Sequence, residues 1–220
     1  FRQLYVEKFM MPSVSKTKRT LTGRNGECGM KALLLGTVGF LLYFVYDVNS
    51  VSMKNAFIQK FFALGTVLEL FSFIWAGISF WKQENLYTIK NAALIAGLII
   101  FFVLLVYTLF FALPFEETYC QESRMRQAYT EGVYSLCRHP GVLWFAGLYL
   151  CMWGITGNAS GGVYFLGMIG WNLLYVIFQD LWTFPRTFSN YHIYKEKTPF
   201  LIPNGKSIQA CETYYMRDRK

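Results

Sequence analysis

Apolar residues run along the chain in long blocks that are separated by short polar segments. No charged residue occurs in the 25 positions from Asn91 to Phe115, or in the 39 positions from Gly141 to Gln179. A helix needs about 20 mostly apolar residues to cross the hydrocarbon core of a bilayer. The first block can therefore cross once and the second twice, which indicates a membrane protein with several spans.

The blocks predict five membrane helices. The last two form a helical hairpin, because a polar, glycine-rich turn at positions 156–162 interrupts the second block. The hairpin helices are expected to have about 15 and 20 residues. Gly36 and Gly39 in the first helix should let a neighbouring helix approach closely. The first three predicted helices are Lys31–Tyr46, Phe57–Trp81 and Ala92–Leu113, and the third ends before Pro114.

This pattern predicts an all-α polytopic membrane protein in three regions. Residues 1–114 hold three spans, and 115–203 hold a polar linker (115–140), the hairpin and the first part of a polar tail that runs from Leu181 to Lys220. The last part of the tail, 204–220, is a separate polar region. A hairpin returns the chain to its starting side, so the polar linker before it and the segment after it share one membrane face. Their basic residues predict that this face is cytosolic. The direction of the N-terminus stays open, because the N-terminal segment is basic as well.

Composition supports the membrane assignment. The chain is 54% hydrophobic and 15% charged, whereas soluble domains average about 25% charged residues. The net charge of +8 comes from Lys and Arg outside the apolar blocks, which favours membrane lipids over nucleic acid as partners. The chain begins with Phe1, so we expect a short piece before it, and this end has no signal-peptide pattern.

The cysteines and histidines do not form a metal-binding pattern. The five cysteines are scattered and only two histidines are present, so we predict no metal site. Free thiols or packing residues are expected instead of a disulfide framework. The cysteines are Cys28, Cys120, Cys137, Cys151 and Cys211.

The most informative polar segment, Thr130–Pro140, directly precedes the hairpin. Pro140 suits the first turn of a helix, which places Arg138 and His139 at a helix N-terminus that attracts anions. A guanidinium and an imidazole there predict a carboxylate or phosphate site. The alternative is an arginine that extends to lipid headgroups and a histidine that caps the helix. Neither side chain is expected to pack in the core.

A second polar group lies where the fifth helix leaves its apolar block. Asp180 is placed to face Arg138 and His139 across the hairpin. The alternative is an interfacial ion pair within an aromatic belt, since Tyr and Trp are enriched at that depth. The other members of the group are Gln179, Arg186, Tyr191, His192, Tyr194 and the segment Pro199–Pro203.

Glu69 is an acid near the middle of the second predicted span. An ionisable residue at that depth is costly and usually faces the interior of a helix bundle. It is therefore a candidate for acceptor binding or for pairing with a basic group. The alternatives are a protonated, hydrogen-bonded glutamate without a functional role, or a span that lies at a different position from the predicted one.

Together the two polar segments resemble the isoprenylcysteine carboxyl methyltransferase family and related membrane phospholipid methyltransferases. The shared pattern is T-x-G-x-Y-x-x-x-R-H-P before an apolar hairpin, then an acidic pair, Y-x-x-Y and a P-x-x-I-P ending. The family's two glutamates fall on Gln179 and Asp180, so the first acid is replaced by an amide. The matching residues are Thr130, Gly132, Tyr134, Arg138, His139, Pro140, Tyr191, Tyr194, Pro199, Ile202 and Pro203.

The resemblance implies that S-adenosylmethionine binds between linker, hairpin and tail on the cytosolic face. A lipid-like or prenylated-cysteine carboxylate acceptor would enter from the bilayer. Asp180 would bind the ammonium of the cofactor or orient the acceptor, and it is a catalytic candidate together with Arg186 and Glu69. The cofactor-binding candidates are Tyr134, Arg138, His139, Pro140, Gln179, Tyr191 and Tyr194.

Two other functions compete with methyl transfer. Membrane sterol and steroid reductases carry a similar R-H-P segment and tail but bind a nicotinamide cofactor, here NADPH. The third possibility is a non-catalytic membrane protein that retains the scaffold. The acceptor and the oligomeric state stay open in each case.

Overall fold

A computed structural model describes residues 2–81, 88–112 and 126–217, with side chains from residue 26 onward except that of Ser160. These residues form helices joined by turns, and Arg126 and Phe188 make an isolated parallel bridge. The all-α prediction is confirmed. The helices are α1 (Arg2–Ser52), α2 (Ala56–Gln59), α3 (Phe61–Phe80), α4 (Ile89–Val106), α5 (Val133–Leu136), α6 (Pro140–Thr156), α7 (Gly162–Phe178), α8 (Phe184–Thr187), α9 (Tyr191–Lys197) and α10 (Gly205–Arg217).

Four described segments are long and apolar enough to cross a membrane, which indicates a helical membrane protein as predicted. The first half of the predicted hairpin, α6, is a shorter apolar helix of 17 residues. The length of the helices therefore supports four spans, and α6 is the fifth apolar helix of the prediction. The four segments are Gly26–Ser52, Ala56–Phe80, Ile89–Phe111 and Gly162–Thr187.

The predicted bounds of the first helix are wrong. It runs for 51 residues, from Arg2 to Ser52, because the polar residues after Tyr46 continue it rather than end it. Asp47 is buried, and the side-chain amide of Asn49 donates to the Asn55 carbonyl at 3.0 Å. The other helix bounds differ little from the prediction, although Leu113 and Pro114 lie outside the described residues.

The close approach predicted for the first helix is confirmed at Gly39. A Cβ atom on Gly39 would lie 3.1 Å from the Gly65 carbonyl oxygen, and one on Gly65 would lie 2.9 Å from that of Gly39. The backbones of α1 and α3 therefore touch where side chains would separate them. Gly36, one turn earlier, packs against Met168 of α7.

The polar segments lie together at one end of the bundle. The side chain of Thr183 donates to Asp47, which brings the C-terminal ends of α1 and α7 together. Tyr134 donates to the Thr108 carbonyl and so brings the linker to the C-terminal end of α4. The start of α6 and the segment from α8 to α10 lie at the same end, which we call the polar end. Linker and tail therefore share one end of the bundle, as predicted.

Candidate functional site

The R-H-P segment forms the entrance to α6. Pro140 occupies its first turn, where the missing N–H costs no hydrogen bond. The backbone N–H of Arg138 donates to the Pro199 carbonyl at 2.9 Å. This bond joins the R-H-P segment before the hairpin to the P-x-x-I-P segment that begins at Pro199. Two motifs that are distant in sequence are therefore neighbours in the structure.

Asp180 is the centre of this neighbourhood, because four side chains reach its carboxylate. Arg138 donates from Nε to Oδ1 at 2.8 Å and from Nη2 to Oδ2 at 3.2 Å. The Tyr191 hydroxyl donates to Oδ1 at 2.6 Å, and His139 Nε2 lies 3.2 Å from the same oxygen. Lys195 Nζ lies 3.0 Å from Oδ2. We call these five residues the Asp180 cluster.

Arg138 also ties the cluster to the backbone of the tail. Its Nη1 donates to the Thr198 carbonyl at 2.6 Å and to the Lys195 carbonyl at 3.3 Å. The guanidinium lies 5.7 Å from the centre of the Phe200 ring. Lysine could supply the charge but not this planar fork of donors, so the geometry is specific to arginine.

The expectation that Arg138 and His139 stay out of the core is wrong. Their side chains are 8% and 6% exposed, and that of Asp180 is 5% exposed. The tail folds over them, and His139 stacks on Phe184 and contacts Phe200 edge-on. The sequence showed charged residues beside an apolar block, but the compensating carboxylate makes their burial tolerable.

The protonation of the cluster follows from its burial and its carboxylate. Burial favours a lower pKa for Arg138, but the hydrogen bonds and attraction of Asp180 outweigh it and raise the pKa. Burial lowers the pKa of His139 in spite of Asp180, so the neutral ring donates to the carboxylate at pH 7. Burial and the bond to Asp180 raise the pKa of Tyr191, which stays a phenol.

Asp180 lies in a π-helical segment, Gln179–Thr183, that continues α7. A second π-helical segment, Tyr107–Phe111, continues α4 to the same polar end. Pro185 follows the first segment and cannot donate a backbone hydrogen bond, which favours a widened turn before it. Single π-helical turns within α-helices often occur at functional sites.

Gln179 points to a different carboxylate, that of Asp47 on α1. Its side-chain amide donates to Asp47 Oδ2 at 3.0 Å and to the Tyr175 hydroxyl at 2.9 Å. Thr183 also donates to Asp47 Oδ2, at 3.3 Å. A glutamate at position 179 would face another carboxylate, whereas the amide can donate to it. Asp47 is not among the predicted site residues, although a lone acid at the end of an apolar block is a signal.

Tyr134 and Tyr194, both predicted to bind the cofactor, hold the linker in place. The Tyr194 hydroxyl donates to the Tyr134 carbonyl at 2.6 Å, and the Tyr134 hydroxyl donates to the Thr108 carbonyl at 2.8 Å. Trp144 Nε1 donates to the Thr108 hydroxyl at 3.0 Å. Thr108 is thus a buried junction between α4, the linker and α6, and nothing in the sequence patterns marked it.

The structure does not bring the three catalytic candidates together. Arg186 is exposed and stacks on Trp182, with its guanidinium carbon 4.9 Å from the ring centre. Glu69 lies within α3 against the backbone of Gly39, and neither carboxylate oxygen has a hydrogen-bond partner among the described residues. Of the three, Asp180 alone belongs to the Asp180 cluster.

Cys137 immediately precedes Arg138 and is fully buried. Burial raises the pKa of its thiol to about 11, so it is protonated at pH 7 and is a poor nucleophile. Cys28, Cys151 and Cys211 are also free thiols, as expected, and Cys120 lies outside the described residues. The chemistry of the Asp180 cluster is therefore that of one carboxylate and its donors.

No protein-family model, curated protein or solved structure matches the chain. In the part of the chain that the structure describes, no three His, Cys, Asp or Glu side chains are grouped for a metal ion. The polar end contains the buried carboxylate of Asp180 together with its hydrogen-bond donors, at the end of the apolar hairpin. Such a site can hold a ligand that carries an ammonium group or a carboxylate.

Proposed function

We propose that this protein is a membrane S-adenosylmethionine-dependent methyltransferase that acts on a lipid-like acceptor, such as a prenylated cysteine with a free carboxylate. The observation that carries the proposal is that segments 130–140 and 179–203 meet at Asp180. These are the two segments that resemble the methyltransferase family, and Asp180 occupies the position of that family's second acid. The proposal places the polar end of the bundle in the cytosol.

The residues of the cluster fit the amino-acid end of this cofactor. Three partners of Asp180 are almost completely buried, but the side chain of Lys195 is 34% exposed. Asp180 Oδ2 can accept from the ammonium of the cofactor in place of Lys195 Nζ, with no change in charge balance. Such an exchange avoids the desolvation penalty of leaving a carboxylate unpaired. The bound cofactor supplies an activated methyl group on a sulfonium.

The buried residues of the cluster act by positioning. Arg138, His139 and Tyr191 all bind Asp180 Oδ1, which fixes the direction of Oδ2. Phe184 and Phe200 cover His139 and keep water from that side. A carboxylate acceptor is already ionised at pH 7 and needs no general base. The expected acceleration therefore comes from alignment and the exclusion of water.

The proposal is tested by calorimetry on the detergent-purified protein. S-adenosylmethionine, S-adenosylhomocysteine and NADPH are titrated separately into folded sample. We expect saturable binding of the first two and none of NADPH. Binding of NADPH alone would replace the proposal with a reductase. Absence of binding by all three ligands would leave a scaffold without cofactor chemistry.

A pair of variants tests the assigned roles. Lys195→Met removes the exchangeable partner, so we expect S-adenosylhomocysteine to bind at least as tightly as it binds the wild type. Arg138→Lys disturbs the buried side of Asp180, and we expect affinity to fall by about tenfold or more. Equal loss in both variants would show that Lys195 does not occupy the ammonium position. Circular dichroism checks that both variants remain folded.

A further inference from the structure

A second candidate site lies at the polar end, and its described lining shares no residue with the Asp180 cluster. It is a cavity of about 200 Å³ between the end of α4, the linker and α10. We call it the tyrosine cavity. The residues that define it are Tyr107, Phe111, Tyr129, Gly132, Tyr214 and Tyr215.

The four tyrosines that line the cavity form two hydrogen-bonded pairs. The hydroxyls of Tyr107 and Tyr215 lie 3.1 Å apart, and those of Tyr129 and Tyr214 also lie 3.1 Å apart. Each pair joins a residue of α10 to a residue from a different part of the chain. The helix at the end of the chain is therefore fixed at the cavity, which offers aromatic rings and hydroxyl oxygens to a ligand.

Gly132, the glycine of the T-x-G-x-Y motif, is at the edge of this cavity. Its φ of 58° and ψ of −131° lie in a region that side chains avoid. A Cβ atom there would lie 3.4 Å from Tyr214 Cε1 and 3.4 Å from the Tyr215 hydroxyl. The motif glycine thus serves both the backbone turn and the space beside the two tyrosines.

The charges around the cavity favour a cation. None of the lining residues that the structure describes is charged. Glu131 adjoins Gly132, Glu212 lies on α10, and Arg217 lies two residues beyond Tyr215 on the exposed end of that helix. Burial, together with hydrogen bonds between the hydroxyls, raises the pKa of Tyr129 and of Tyr215, so both are neutral phenols at pH 7. An anion would meet no cation among the described residues of the lining.

We infer that the tyrosine cavity binds a small alkylated onium group, a trimethylammonium or a sulfonium. Aromatic rings attract such cations, and aromatic cages for quaternary ammonium ligands are the best-known example. Pockets that bind drug-sized ligands have volumes of about 300–1,000 Å³, so this cavity takes one group of a larger molecule. Two sources share this chemistry: a choline lipid headgroup and the sulfonium of the proposed cofactor. Only the second source rests on the proposed function.

Calorimetry in maltoside detergent, which contains no choline, tests the inference. Tetramethylammonium, choline and trimethylsulfonium are titrated against 3,3-dimethylbutan-1-ol, the uncharged analogue of choline. We expect saturable binding of the onium ions, at least about tenfold tighter than the alcohol. Equal affinity for the alcohol, or no binding of any onium ion, would overturn the inference.

Variants place the binding in the cavity. Tyr215→Leu removes one ring, and we expect affinity for choline to fall about tenfold or more. Tyr214→Phe keeps the ring and should fold even if Tyr215→Leu does not, with a loss of less than about fivefold. Tyr46→Leu changes a tyrosine on α1 outside the cavity and serves as the matched control. Choline affinity that is unchanged in Tyr215→Leu, or reduced equally in the control, would contradict the assignment.

Competition separates the two sources. Displacement of choline by S-adenosylmethionine but not by phosphocholine indicates the sulfonium, and the reverse indicates a lipid headgroup. Choline binding without any S-adenosylmethionine binding would keep the cavity and remove the proposed methyltransferase. Binding of S-adenosylmethionine without binding of any onium ion would keep the proposed methyltransferase and remove the onium site in the cavity. Failure of one proposal is therefore distinguishable from failure of the other.

Discussion

Two buried carboxylates in this protein have opposite surroundings. Asp180 at the polar end is 4% exposed over the whole residue, and four donor side chains contact its carboxylate. Glu69 within α3 is 8% exposed, and both its oxygens are without a hydrogen-bond partner among the described residues. The linker and the tail supply the hydrogen-bond donors of Asp180, whereas Glu69 is surrounded by packed helices of the apolar bundle.

Burial alone does not define a functional acid. A buried carboxylate stabilises a fold only when donors compensate for its lost hydration, and removing one partner of such a pair is costly. An unpartnered polar group carries that penalty in the native protein already. Substitution of Asp180 should therefore lower the free energy of unfolding, whereas substitution of Glu69 should raise it. The variants below test this difference in order of decreasing effect.

Replacing Asp180 should have the largest effect. Asp180→Asn leaves the buried Arg138 guanidinium without its counter-charge, so we expect a loss of about 3–5 kcal/mol in the free energy of unfolding. The measurement is unfolding in mixed detergent micelles, followed by circular dichroism. Asp47→Asn is the matched control, because hydroxyl and amide donors surround Asp47 and its loss should be smaller. Equal losses would show that Asp180 is not specially stabilised.

Arg138→Lys should have an intermediate effect, because it keeps a charge but loses the bonds to Asp180 and to the Thr198 carbonyl. We expect a loss of about 1.5–3 kcal/mol in the same unfolding assay. Combining it with Asp180→Asn should cost less than the sum of the single changes. Additive losses would mean that the two side chains do not act as a pair.

Glu69→Met should stabilise the protein by about 1 kcal/mol, because it removes an unpartnered buried polar group. Ser72→Ala is a useful contrast one turn away, since the Ser72 hydroxyl bonds to the Ala32 carbonyl and to Tyr164. That change should destabilise the fold. A clear loss of stability in Glu69→Met would indicate that Glu69 has a partner and that the comparison with Asp180 fails.

The smallest expected effect is on the pH dependence of stability. Burial lowers the pKa of His139 below its usual 6.5 in the folded protein, so the unfolded chain binds more protons near that pH. Stability should therefore fall as the pH decreases from about 6.5 through the folded pKa of His139. Among the residues that the structure describes, Asp180, Arg138 and Lys195 are the charged groups that act on this ring.

The pH effect is isolated by comparing two histidines. His139→Gln should flatten the profile of unfolding midpoint against pH between 7 and 5, whereas His192→Gln changes an exposed side chain and should not. A profile that keeps its slope in His139→Gln would assign the effect to another group.

Apolar blocks were sufficient to predict the helical membrane fold, because hydropathy and length are local properties of the sequence. They failed at the end of α1, where Asp47 and Asn49 are polar yet remain in the helix. Asp47 accepts from Gln179 and Thr183 of a distant segment, and Asn49 bonds to Asn55 in the turn that follows α1. A pattern of apolar blocks does not show such partners. The same limit explains why the burial of Arg138 was not predicted. It depends on α9 and the segment after it folding over the start of α6.

The meeting of Asp180 with Arg138 and His139 was predictable, because a hairpin brings its two outer ends together. The tyrosine cavity was not, since it depends on a helix in residues 205–217 that composition marked only as a polar tail. Tyr214 and Tyr215 lie next to each other in that helix, and their partners are 85 and 108 positions away. A local pattern cannot show such pairs.

The most direct test compares the affinity of S-adenosylhomocysteine for the wild type, Asp180→Asn and Glu69→Gln, each confirmed as folded by circular dichroism. We expect saturable binding to the wild type, unchanged affinity in Glu69→Gln and a loss of about tenfold or more in Asp180→Asn. No binding to the wild type would contradict the proposed function. Full affinity in Asp180→Asn, or a loss in Glu69→Gln, would show that the cofactor site is not at Asp180.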